Sequence, residues 1–134
     1  TIDISSIVYG RGVSRYTSNL VRSLLREKRL ELDVFGTSLR QKNVLEQFAK
    51  DEKISESRQH FYQIPPKLST FAWYNLNFPP LGFFVNNKTE LFHAWEELIP
   101  PTTIPVVATI HDLAMLRFPE SAHPETSVTV SLIV

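Results

Sequence analysis

The feature that most constrains this chain is a repeated change of hydrophobic period. Short apolar runs of strand length alternate with stretches whose apolar residues recur at three- and four-residue spacing. Residues 1–5, "TIDIS", read as a short buried strand. From Gly12 onward, Val13, Tyr16, Leu20, Val21, Leu24 and Leu25 keep helical spacing, while Ser18, Arg22, Arg26 and Lys28 mark the opposite face. Residues 30–36 read as a second strand closed by Gly36, and residues 40–50 as a second helix with Val44, Leu45 and Phe48 apolar. Residues 60–65 form a third predicted strand, stopped by Pro65 and Pro66. An aromatic stretch over 71–84 is partly helical and broken by Pro79 and Pro80. Residues 89–95 and 104–110 supply two more strands, the last so uniformly apolar that a central place in the sheet is expected.

Each strand is regained only after a crossover, and crossovers produce parallel pairing. The expected fold is therefore α/β: a mostly parallel sheet with helices on both faces. A length of 134 residues fits one domain over 1–134. With 14 basic and 14 acidic residues the formal charge is zero, which gives no electrostatic reason to expect a nucleic-acid partner. The chain has no cysteine, so disulfide and thiolate chemistry are excluded, which suits a reducing, cytoplasmic setting. Asp3 and Arg11 interrupt the first apolar residues, so no signal peptide is expected there. No run approaches the ~20 apolar residues that a membrane helix needs. Residues 127–134, "SVTVSLIV", are strand-like but have no place in this scheme.

Open parallel sheets bind ligands at the carboxyl ends of their strands. Three segments fall there. The first is "YGRGVSRYT", residues 9–17, where Gly10 and Gly12 precede the first helix. Small residues let a ligand approach the backbone, and a helix start attracts phosphate. Arg15 stands where a dinucleotide fingerprint has its third glycine. Asp33 follows Gly12 by 21 residues, the spacing of a ribose-binding acid, but falls inside the predicted second strand rather than at its end. An anion or sugar contact through Gly10, Gly12 and Arg15 is thus favoured over a nicotinamide or flavin, with a tight turn lacking any ligand as the alternative.

The second segment brings His93 together with Trp95, Glu96 and Glu97. An indole beside polar groups can cover the apolar face of a sugar ring; the alternative is a histidine half-packed at a strand end. The third is the pair His111 and Asp112, where the fifth strand stops. A His-Asp pair also occurs in metal phosphohydrolases, but His60, His93 and His123 show no ligand spacing, and no metal site is expected. Sequence neighbours at a strand end point different ways. His111 is the expected functional residue, while Asp112 either joins the site or caps the next helix, a role worth about 1 kcal/mol. The aromatic stretch reads as core packing, with an acceptor groove or a membrane-leaning patch as the alternative.

Three elements in order carry a family resemblance. They are Asp3 and Gly10 followed by "GVSRYT", then "ELFHA" over 90–94, then "PVVATIHDLAMLRFPES" over 105–121. Together they resemble the N-terminal half of retaining nucleotide-sugar glycosyltransferases of the GT-B fold, glycosyltransferase family four, which includes mannosyl- and glucosyltransferases. The resemblance runs from residue 1 to about residue 125. It implies a Rossmann-like domain, one half of a two-domain enzyme. This half would hold a glycan or lipid acceptor, and a C-terminal domain would hold the nucleotide-sugar donor. Sugar transfer would proceed with retention and without a metal or resident cofactor. It further implies that Gly10 and Gly12 lie by the donor phosphates or the acceptor, with Arg15, His93 and Asp112 on the substrate side. His111 would sit by the transferred sugar in the catalytic role. Peripheral contact with a membrane is the expectation that the aromatic stretch over 71–84 leaves open. The donor domain, with its paired glutamates and phosphate-clamping Arg and Lys, lies outside these residues, so this chain is expected to be a fragment without appreciable transfer activity alone. A non-catalytic α/β ligand-binding or interaction domain is the competing expectation.

Overall fold

The computed structural model describes residues 1–96 and 99–111. Glu97, Asp112, His123 and segment 127–134 lie outside the described residues. In chain order the elements are β1 (Ile2–Asp3), a 3-10 turn (Ser5–Tyr9), α1 (Gly12–Arg26), β2 (Val34–Thr37), α2 (Lys42–Asp51) and β3 (Gln59–Tyr62). Then come α3 (Pro66–Phe71), a wide helical turn (Ala72–Leu76), a 3-10 turn (Leu81–Phe83), β4 (Phe92–Ala94) and β5 (Val106–Ala108). The sheet runs β3-β2-β1-β4-β5, and every pair is parallel. This is a Rossmann-like α/β fold. The chain leaves β1 toward β2 and β3, then crosses back to place β4 on the other side of β1. That reversal opens a crevice between the carboxyl ends of β1 and β4, where sheets of this kind bind ligands.

Alternation along the strands divides the interior into two cores. Ile2, Ile4 and Val34 face α1 and α2, where Val21, Leu45 and Ala49 complete one cluster. Phe35, Phe92 and Ala94 point the other way, against Leu81 and Val85 from the aromatic stretch. Register keeps this order, with Asp3 opposite Phe35 and Ile2 opposite both Val34 and His93. Helical segments therefore cover both faces, but unequally. The α1 and α2 side has two regular helices, and the other side is covered largely by rings, with Phe35 in contact with Phe84, Tyr62 and Phe92.

The structure departs from the sequence reading in three informative places. The strands are shorter than the apolar runs, because only residues with a partner at ladder spacing pair. β5 is an edge strand among the described residues, with Val107 48% exposed, not the central strand its composition suggests. Apolar composition records a capacity for burial but not which neighbour supplies it. Finally, the buried line of α1 runs through Thr17 and Val21, with Leu20 and Leu24 partly buried, whereas Tyr16 is 41% exposed. Tyr16 and Leu25 flank the apolar stripe instead of filling it, and Thr17 takes the core position because Ser6 satisfies its hydroxyl.

Candidate functional site

At the carboxyl end of β1 the buried carboxyl group of Asp3 organises the turn that follows. Its Oδ1 accepts the main-chain N–H of Ser5 at 2.8 Å and the Ser5 hydroxyl at 2.6 Å. The same hydroxyl oxygen accepts the N–H of Thr37 at 2.9 Å, which ties the turn to the end of β2. Burial dominates the electrostatics of Asp3 and pushes its carboxyl up to about 6, although both Ser5 hydrogen bonds favour the charged form.

The 3-10 turn ends on Gly10, at φ +62°, in the left-handed region where glycine carries no steric penalty. That reversal aims the chain into α1. Arg11 precedes the helix in an extended conformation, no side chain caps the helix start, and its first turn has no acidic residue. The unpaired N–H groups there carry the positive end of the helix dipole. Gly10, Arg11, Gly12, Ser14 and Arg15 line an open hollow of about 440 Å³ at this point. Both arginines are exposed, so the hollow has two mobile cations beside a fixed array of donors. This arrangement suits an anion, and phosphate above all. Arg11 is the residue the sequence reading missed. Its four-residue spacing from Arg15, with Gly12 between them, is the available signal.

Tyr9, at the end of the 3-10 turn, lies against Trp95 just beyond β4, with ring centroids 5.7 Å apart. Burial raises the Tyr9 phenol above its ordinary range, and the nearby carboxylates of Glu96 and Asp3 add to this. The two rings stand where the switch-point crevice opens, and aromatic faces of this kind can cover a sugar or other flat apolar surface.

On the α1 side of the sheet, Tyr16, His93, Thr109 and His111 converge. His93 Nε2 lies 3.0 Å from Thr109 Oγ1, and that oxygen lies 3.2 Å from the Tyr16 hydroxyl. The ring of Tyr16 meets His111 in a perpendicular arrangement, with centroids 5.2 Å apart. His111 is exposed. His93 is half-buried, and its Nδ1 is buried without a hydrogen-bond partner. Burial lowers the proton affinity of His93, a contact with its own main chain partly offsets this, and charge at His111 lowers it further.

The expected site residues are thus partly assembled. Gly10, Gly12 and Arg15 share one hollow, and His111 lies against Tyr16, which follows Gly12 by one helical turn. His93 belongs to the same cluster, but its Nε2 is engaged with Thr109. Asp112 falls outside the described residues. Asp33 lies just before β2, at the opposite end of the strands, with its Oδ2 3.3 Å from His60 Nε2. It cannot act as the ribose-binding acid of a dinucleotide site. Gly12 has no positive φ, and an added Cβ would meet nothing within 4 Å, so the turn does not require glycine there. A larger open hollow, about 720 Å³, lies between α2 and the start of β3. Lys42, Glu46, Lys50 and Glu56 give it mixed charge, and none of the expected site residues lines it. Among the described residues no group of three or more His, Cys, Asp and Glu side chains is placed to hold a metal ion. No described helix is long and apolar enough to cross a membrane.

The fold and the convergence of polar groups define an α/β domain with a switch-point crevice and a cationic helix start at its rim. Comparison with known proteins finds no matching family model, no matching curated protein and no matching solved structure.

Proposed function

We propose that this domain is the acceptor-side half of a retaining nucleotide-sugar glycosyltransferase. The observation that carries the reading is the Tyr16–His111 contact, which ties the imidazole to α1 one turn beyond the helix start that offers free N–H groups, Arg11 and Arg15. A nucleotide-sugar presents a diphosphate and a sugar a few ångströms apart. The helix start matches the first, and an imidazole able to hydrogen-bond hydroxyl groups matches the second. Trp95 and Tyr9 supply faces for an acceptor ring. Outward-facing Leu68, Phe71, Phe78 and Phe83, the last 70% exposed, give a lipid-linked acceptor an apolar surface. On this reading a C-terminal domain contributes the rest of the donor pocket, His111 is the catalytic residue, no resident cofactor is required and the enzyme works in the cytoplasm.

An NMR titration of the chain with alkyl glycosides and nucleotide-sugars tests the proposal. The expected result is weak, saturable shifts at the amides of residues 10–15 and at the His111 ring. Tight nicotinamide or flavin binding with no response to sugars overturns it. Sugar binding by a full-length polypeptide that transfers nothing favours a recognition domain instead.

A further inference from the structure

We propose that Tyr16 is the positioning residue for His111, a role that rests on the reading of His111 given above. An exposed imidazole just beyond the end of a strand has free rotation about two side-chain bonds, and its nitrogens are spread over several directions unless a neighbour restrains it. Tyr16 is that neighbour. Its ring stands perpendicular to the imidazole at 5.2 Å, a favoured arrangement for two aromatic rings. The ring is itself anchored, because its hydroxyl lies 3.2 Å from Thr109 Oγ1, which lies 3.0 Å from His93 Nε2. Thr109 is in turn fixed by its N–H, which donates to the Ala94 carbonyl at 3.1 Å and extends the β4–β5 ladder. The brace therefore runs from the sheet through two hydroxyl groups to a ring, and from that ring to His111.

Its origin on α1 gives the brace a second consequence. Tyr16 follows Gly12 by one helical turn, so the distance from the anion-attracting helix start to the imidazole is set by rigid helix geometry rather than by a loop. This also accounts for the partial exposure of Tyr16, since a ring in the core stripe of α1 could not reach His111.

Three-bond couplings about the His111 Cα–Cβ bond, measured on isotope-labelled protein, test the brace without relying on activity. A single rotamer is expected in the native chain, averaged couplings in Tyr16→Leu, and only partial averaging in Tyr16→Phe, which keeps the ring but loses its hydroxyl anchor on Thr109. Thr109→Val, which keeps both rings and the ladder, should give partial averaging. Averaged couplings in the native chain, or native couplings in Tyr16→Leu, overturn the proposal. In a polypeptide carrying both domains, Tyr16→Leu should lower kcat about ten- to a hundredfold with KM for the nucleotide-sugar nearly unchanged, and Tyr16→Phe, which keeps the ring without its anchor, should recover part of the loss. A Tyr16→Leu chain with averaged couplings, from a parent that binds no sugar, supports the brace while overturning the sugar-transfer reading.

Discussion

The hydroxyl of Ser6 donates to the hydroxyl oxygen of Thr17 at 2.7 Å, with both residues buried. This bond fastens the 3-10 turn to the second turn of α1 and fixes the angle at which Gly10 and Arg11 enter the helix. Thr17→Val keeps the shape but leaves the Ser6 hydroxyl without an acceptor, and should cost about 1–3 kcal/mol in urea unfolding. Ser6→Ala together with Thr17→Val should cost less than the two single changes added, because the double variant leaves no buried hydroxyl orphaned. Simple additivity would show that the two hydroxyls are not coupled.

Asp3 predicts a dependence of stability on pH. Its carboxyl titrates near 6 in the folded chain, against an ordinary value of 3.8. The folded state therefore holds a proton that the unfolded state releases, and stability falls as pH rises from about 4 to about 6. The loss is on the order of 3 kcal/mol for a group this buried, 7% exposed. Asp3→Asn keeps an acceptor for both Ser5 hydrogen bonds and should flatten that slope in melts recorded between pH 4 and pH 7. A slope unchanged in Asp3→Asn would assign it to another group.

The two glycines of the turn should respond oppositely to substitution. Gly10→Ala places a Cβ in the left-handed region and should destabilise by about 1–2 kcal/mol. Gly12→Ala meets nothing within 4 Å and should leave the melting temperature unchanged or slightly raised. The structure thus removes the steric argument for glycine at position 12 and leaves only a ligand-based one. Gly12→Val should fold normally and still weaken phosphate or diphosphate binding, as read by calorimetry against the native chain.

His111→Ala should lower turnover tens to hundreds of fold in a polypeptide with both domains, a loss of about 2–3 kcal/mol of transition-state stabilisation. Since Tyr16 belongs to α1 and the core does not depend on His111, the melting temperature should stay close to the native value. Full turnover in the folded variant would remove His111 from the chemistry.

Periodicity in the sequence determined the α/β class, the approximate place of five strands and two helices, and the glycine-marked start of α1, because each is a local pattern repeated within a few residues. Tertiary structure alone decided what was near what. Tyr16 and Thr109 are 93 residues apart in the chain and in hydrogen-bond contact in the fold. Asp33 has the spacing of a ribose-binding acid but meets His60 at the wrong end of the sheet. Tyr16 sits on the apolar repeat of α1 and yet faces His111, since the side of the helix that enters the core, the one carrying Thr17 and Val21, is chosen by how α1 packs on the β1 region. Hydrophobic period records which way a side chain points relative to its own element, and strand order, which is fixed by long-range pairing, determines what it meets there.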